Sequence, residues 1–355
     1  MSTLDKIQFD NLLSQLVEQG ASDLFLSVGS PPIFKVANQL VPADQGILTA
    51  VKIEELIFPL LTVGQKDKLI KEKALIFSYT FASSLRFKIN LFYQKGCLAA
   101  ELRFVQPAVK SIKELGLPKQ VEKITDLNNG LIIISGPFNS GKTTTLAAII
   151  EHLNITKQLR IVTLEEPIEF IFTNKKSIIQ QREVGSDTPS FVEGLDDCLE
   201  ANLDALVVSQ IETKQEMKKI LTLAEQGRLV LAATSANSAA EAVAKLIAFF
   251  DKDEKERAQN VLSQVLKAII CQKLIINRKG EFVVVPEILL QTDAIISSIR
   301  ENKLNQIGNI LRTSAEQGMI SFEQSLASLV KQGEVTQQEA LKHIDDQAEF
   351  RQMVN

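Results

Sequence analysis

Leu131-Ile132-Ile133-Ile134-Ser135-Gly136-Pro137-Phe138-Asn139-Ser140-Gly141-Lys142-Thr143-Thr144-Thr145 reads as a strand, a glycine-bounded loop and the opening of a helix. The run 131–135 shows none of the polar alternation of a half-solvated strand, so it is expected to be buried on both faces. Gly136 and Gly141 bracket four residues and are followed by Lys142-Thr143, the spacing of a P-loop. In such a loop the backbone N–H groups of Gly136, Phe138, Asn139, Ser140 and Gly141, and of Lys142, Thr143 and Thr144 at the helix start, cradle phosphates. Pro137 supplies no donor. Lys142 would reach the β- and γ-phosphates and the Thr143 hydroxyl would ligate Mg²⁺, so the expected ligand is ATP with Mg²⁺. Asn139 stands where glycine is common, and Asn tolerates a left-handed backbone better than other non-Gly residues.

Downstream of this segment, the runs 160–164, 205–208 and 228–233 are also apolar, and helical patterns separate them. That rhythm is the signature of a parallel sheet covered by helices. Upstream lie an amphipathic helix over 9–19, carrying Leu12, Leu13, Leu16 and Val17, and strands near 24–26, 33–36, 75–79, 86–92 and 98–104. Gly20 stops that first helix, Gly29-Ser30-Pro31-Pro32 marks a turn, and a second helix is predicted over 53–61. These elements make a small α+β domain. The stretch from Pro107 to 129 reads as a connector, and the last seventy residues as helices over 294–300, 304–317, 322–331 and 337–348. The expected division is 1–107, a linker 108–129, a nucleotide-binding core 130–290 and a helical lobe 291–355.

The chain has 355 residues, too many for one ordinary core. Its net charge is −4 with no Lys/Arg block, which argues against a nucleic-acid partner. No leader pattern and no long apolar run appears, so a cytoplasmic protein is expected. Cys97, Cys198 and Cys271 lie far apart and read as buried reduced thiols. His152 and His343 read as surface residues, and the charged run 251–257 as the cap and solvated face of a helix.

Hydrolysis requires more than a P-loop, namely a group that positions water and a further acidic group at the metal. The strand 161–164 delivers Glu165, Glu166 and Glu169. The strand 205–208 instead delivers Ser209-Gln210, with its carboxylate, Asp204, at the wrong end.

With these spacings the chain resembles the PilT/PilU-type retraction ATPases of type IV pili, within the secretion ATPase superfamily. Residues 21–32, reading Ala-Ser-Asp-Leu-Phe-Leu-Ser-Val-Gly-Ser-Pro-Pro, look like the family's N-terminal signature, with Phe25 where a His usually stands. Thr163-Leu164-Glu165-Glu166-Pro167-Ile168-Glu169-Phe170 looks like its Asp box, and Gln181-Arg182-Glu183-Val184-Gly185 also matches. Besides Phe25, and Glu166 in place of the Asp box's Asp, further positions depart from the pattern. Gln210 stands at the family's Walker B Glu, Arg228 and Ser235 stand at two family histidines, and Lys88 stands at one of two N-terminal Arg positions that sense a neighbouring subunit's γ-phosphate. Arg103 keeps the other. Lys cannot reproduce a bidentate Arg contact.

The resemblance implies a PAS-like N-terminal α+β domain, a RecA-like α/β ATPase core with a helical C-terminal lobe, and a homo- or hetero-hexamer. It also implies work beside an active retraction ATPase paralogue, on an inner-membrane platform protein, with the chain peripheral to that membrane. Because Gln210 lacks a carboxylate, ATP binding with impaired hydrolysis is expected, in an accessory or regulatory role. Two alternatives are an active retraction motor that uses Glu165 as its catalytic carboxylate, and a nucleotide-gated scaffold.

Overall fold

A computed structural model describes residues 3–37, 39–82, 85–105 and 108–354; Pro107, where the connector was expected to begin, lies outside them. Contacts divide the chain into two compact units. One contains the residues up to Ala108 together with Glu166–Ile171 and Glu183–Asp187, and the other contains the remainder. The chain is mixed α/β with two sheets.

In the first unit α1 (Thr3–Glu18), β1 (Asp23–Leu26), β2 (Ile33–Val36), β3 (Gln39–Pro42), α2 (Ala50–Ile57), α3 (Val63–Glu72), β4 (Ala74–Phe81), β5 (Leu85–Gln94) and β6 (Cys97–Val105) follow in order. The strands form an antiparallel sheet, β3-β2-β1-β6-β5-β4. Period-two alternation gives it two unlike faces. Phe87, Ile89 and Leu91 of β5 join Phe9, Leu12, Leu13 and Leu16 of α1, recurring at helical spacing, in one core. Arg86, Lys88 and Asn90 occupy the other face. The segments Glu166–Ile171 and Glu183–Asp187 attach to this polar face. Glu183 accepts from Ser78 Oγ, from Arg86 Nη2 at 3.0 Å and from the Ile168 N–H at 3.0 Å, while Arg86 Nε donates to the Ile168 carbonyl at 2.8 Å.

The second unit holds α4 (Lys119–Thr125), β7 (Gly130–Ser135), α5 (Lys142–Thr156), β8 (Arg160–Glu165), β9 (Ile178–Glu183), α6 (Phe191–Glu200), β10 (Ala205–Val208), α7 (Lys214–Glu225), β11 (Leu229–Thr234), α8 (Ala239–Ala248), α9 (Lys252–Val265), β12 (Leu266–Ile276), β13 (Phe282–Leu290) and α10 (Asp293–Arg300). Beyond these come α11 (Ile307–Thr313), α12 (Phe322–Lys331), α13 (Gln337–Ala340) and α14 (Gln347–Val354). Its sheet runs β13-β12-β7-β11-β10-β8-β9, with β12, β7, β11, β10 and β8 mutually parallel. Every residue of β7, β10 and β11 is buried, as fully apolar strands between helical layers require.

Several expected elements are corrected. The hairpin β12–β13 and the strand β9 add three strands to the four expected from apolar runs. The helix expected over 304–317 breaks at Ser314, leaving 3-10 turns on either side of α11, and the one over 337–348 breaks at Ile344. The charged run at 251 does begin a helix, yet the Asp251 side chain makes no cap bond and pairs instead with Lys214 of α7. Cys198 and Cys271 are buried, whereas Cys97 is half-buried. Burial pushes the Cys198 thiol up to about 11 and the Cys271 thiol up to about 12.

Candidate nucleotide site

The P-loop leaves β7 at Gly136, whose φ of +150° and crowded surroundings exclude a side chain. A Cβ there would fall 2.3 Å from the Gln272 backbone oxygen and 2.4 Å from Ser140 Oγ. The loop therefore runs against β12 with only backbone between. Asn139 takes φ +60° and Gly141 φ +86°, so two left-handed residues turn the chain into α5, with Gly141 as its N-cap. Gln272 of β12 is fully buried, and its Nε2 donates to the Ser140 carbonyl at 2.7 Å, pinning the loop from beneath.

Lys142 folds back onto its own loop, donating to the carbonyls of Gly136 at 3.0 Å and Pro137 at 2.8 Å. Burial holds its ammonium below the usual lysine range, and the positive charge of Lys245 pushes it the same way. Its hydrogen-bond partners among the described residues are neutral carbonyls, which give the charge no counter-ion. Phe138, at the tip, is 89% exposed.

The buried oxygens of Ser140, Thr145, Ser209 and Thr234 have no hydrogen-bond partner among the described residues. All four lie in the loop, in the first turn of α5 or at the ends of β10 and β11, hence along the carboxyl edge of the parallel sheet, where α/β folds take ligands. Unmet polar groups, a cradle that admits no Cβ and a half-buried ammonium with no carboxylate partner among the described residues fit a polyphosphate. Thr143 and Thr144 open α5 and are half-buried there.

The two candidates for handling water lie on neighbouring strands. Ser209 N donates to the Leu164 carbonyl at 3.0 Å and Ile211 N to the Ala233 carbonyl at 2.9 Å, which fixes the backbone on both sides of Gln210. Glu165 ends β8 and is 7% exposed, a buried carboxylate at the strand end. It accepts from Thr163 Oγ1 at 2.6 Å and from Gln181 Nε2 at 3.1 Å. Strand order puts β10 two places from β7 and β8 three places from it. At about 4.8 Å per strand, the Gln210 segment lies roughly 10 Å, and Glu165 roughly 14 Å, from the line of the P-loop strand.

Arg228 and Ser235, the two positions at which the family resemblance implies histidine, fall at opposite ends of β11. Ser235 follows Thr234, which registers with Ser135 beside the P-loop, whereas Arg228 precedes Leu229, which registers with Gly130. Arg228 is therefore at the far edge of the sheet, about 20 Å along the strands from Gly136. There it donates to the carbonyls of Leu199 at 3.2 Å and Ala201 at 2.9 Å, closing the end of α6.

In the first unit Lys88 and Arg103 are direct cross-strand partners on the polar face. Lys88 pairs with Glu169 at 2.8 Å. Arg103 pairs with the buried carboxylate of Asp23 at 2.8 Å, a hydrogen bond that raises its pKa further. Sequence reasoning missed the supporting pair Gln272 and Gln181. The available signal was a lone amide inside the apolar run 266–276, where burial without a partner is costly.

Among the described residues no helix is long and apolar enough to cross a membrane, and no cluster of His, Cys, Asp and Glu is arranged to hold a metal on its own. Residues 82–280 match the family model described as type II/IV secretion system protein. The chain is 33% identical over 350 residues to the type IV pilus ATPase PilU of Pseudomonas aeruginosa, covering 98% of this chain and 91% of that protein. It is equally 33% identical over 329 residues to the PilT retraction ATPase of the same organism, covering 93% and 96%. The crystal structure of the pilus retraction motor PilT with bound ADP superposes with a TM-score of 0.87 at 32% identity, covering 97% of this chain and 98% of that one. A shared P-loop scaffold and near end-to-end similarity thus place this chain in the PilT/PilU-like family of type IV pilus ATPases.

Proposed function

We propose that the chain is an ATP-binding subunit of the type IV pilus retraction machinery that turns ATP over slowly and acts as an accessory or regulatory member of a hexameric ring. Lys142, the loop N–H groups and the α5 N-terminus hold the phosphates, and Mg²⁺, reached through Thr143, neutralises charge on them when bound. The observation that carries the slow turnover is Gln210. Its backbone is fixed at the end of β10, where the family resemblance implies the Walker B Glu, and a neutral amide cannot take a proton from attacking water. Loss of such a group lowers rates by roughly 10² to 10⁴.

A second reading, an active motor using Glu165, has one observation in its favour: this buried carboxylate is held in place by Thr163 and Gln181. Its strand is the more distant of the two, which favours the first reading. Lys88 and Arg103 would serve a neighbouring subunit's nucleotide, and to do so Lys88 must leave Glu169. Measuring ATP binding and phosphate release on the same preparation, with Lys142→Ala as the blank, tests the proposal. Binding without comparable turnover supports it, whereas fast phosphate release, or no ATP binding by the wild type, overturns it.

A further inference from the structure

Lys245 lies in the last turn of α8 and is half-buried. Its Nζ donates to Ser235 Oγ at 2.7 Å and to the Ser235 carbonyl at 3.0 Å. Among the described residues it makes no ion pair, although Glu241 is on the same helix and instead accepts from the Asn237 N–H at 2.8 Å. Ser235 follows β11 directly, at the strand end that registers with the last residue before the P-loop. Burial first, and to a smaller extent the positive charge of Lys245, hold the Lys142 ammonium below the usual lysine range. One ammonium on the P-loop and another at the adjoining end of β11 thus have only neutral oxygens as hydrogen-bond partners among the described residues. Like charges brought together in a partly buried place raise the energy of the empty site, and a polyanion removes that cost.

We infer that Lys245, presented by Ser235, is a second phosphate-binding cation of the nucleotide site and reads the terminal phosphate of a nucleoside triphosphate. The inference rests on the P-loop reading above and adds a discriminating residue to it. Lys142 folds over the base of the loop and serves any nucleotide with a β-phosphate. Lys245 approaches from the β11 side, where Ser235 holds it, and gains an anionic partner only when a third phosphate is present. Ser235 sets its direction, so the position where relatives carry His would be filled by a serine and lysine acting together.

The full-length chain, titrated in Mg²⁺ with ADP and with a non-hydrolysable ATP analogue, provides the test. Lys245→Met keeps the length and apolar stem of the side chain and removes only the charge. It is expected to weaken binding of the triphosphate analogue by about 10-fold to 100-fold, as for a lost charge-assisted hydrogen bond. ADP affinity should stay within about twofold, which also reports an intact site. Lys245→Arg should restore most of the preference for triphosphate, and Ser235→Ala should lose part of it. Equal weakening of both nucleotides by Lys245→Met, or of neither, overturns the inference while leaving the P-loop reading intact. Lys142→Ala binding both nucleotides as wild type does would overturn the P-loop reading itself.

Discussion

Replacing Gly136 by alanine tests how tightly the loop is built, because the methyl has two neighbours of different kinds. Ser140 Oγ, 2.4 Å from the added Cβ, has no hydrogen-bond partner and can rotate away. The Gln272 oxygen, 2.3 Å away, is backbone of β12, which is paired to β7 at Cys271↔Ser135 and so cannot yield without opening the ladder. Reaching ordinary carbon–oxygen contact demands a shift of about 1 Å. Forced overpacking costs about 1–3 kcal/mol, and a strained φ adds about 1–2 kcal/mol more. For a unit of this size a loss near 3 kcal/mol lowers Tm by roughly 5–10 °C. Gly227→Ala is the control: its φ of +88° is equally left-handed, yet nothing lies within 4 Å of the added Cβ, so it carries the φ cost alone. Differential scanning calorimetry and ATP titration should show Gly136→Ala melting earlier than Gly227→Ala and binding ATP at least about tenfold more weakly than wild type. If Gly136→Ala binds ATP within about twofold of wild type, the close approach of loop and β12 is not what shapes the site.

Two further perturbations address the frame around the site. Glu183→Ala removes the carboxylate shared by Ser78, Arg86 and the Ile168 N–H, leaving Arg86 uncompensated at 15% side-chain exposure. Breaking such a buried pair costs about 3–5 kcal/mol, and urea unfolding should report it. Glu287 on β13 accepts from the Ala239 N–H at 2.6 Å, and burial holds its carboxyl above the ordinary value of 4.5. The folded chain therefore keeps this proton to higher pH than the unfolded chain does. Its favourable contribution is complete below pH 4.5 and fades as pH rises through the folded pKa. Glu287→Gln, which retains the acceptor, should be at least as stable as wild type at pH 7 and lose that advantage on acidification. A variant less stable at pH 7 than at pH 4 relative to wild type would contradict the sign.

The P-loop was legible because its motif, the apolar strand before it and the helix after it are contiguous in sequence. The first unit's α1 and its long strands were legible through clean periodicity. The β12–β13 hairpin was not, because α9 passes into β12 at Val265-Leu266 with no glycine or proline to mark the change, and an apolar run alone does not separate helix from strand. β9 escaped for the opposite reason: Gln180, Gln181 and Arg182 make it polar, as an edge strand can be. Gln272, Gln181 and Lys245 come to the site from distant segments, so no local pattern announces them. Arg228 and Ser235 looked like one degenerate motif, and strand length separates them to opposite edges of the sheet.

The central claim is that Gln210 limits turnover on an intact ATP-binding site, and steady-state phosphate release by the purified chain in Mg-ATP tests it most directly. The account predicts wild-type turnover well below about one per second, little changed by Glu165→Gln, and a rise of at least about tenfold in Gln210→Glu. Wild-type turnover at about one per second or faster that Glu165→Gln abolishes would contradict it and assign the chemistry to Glu165.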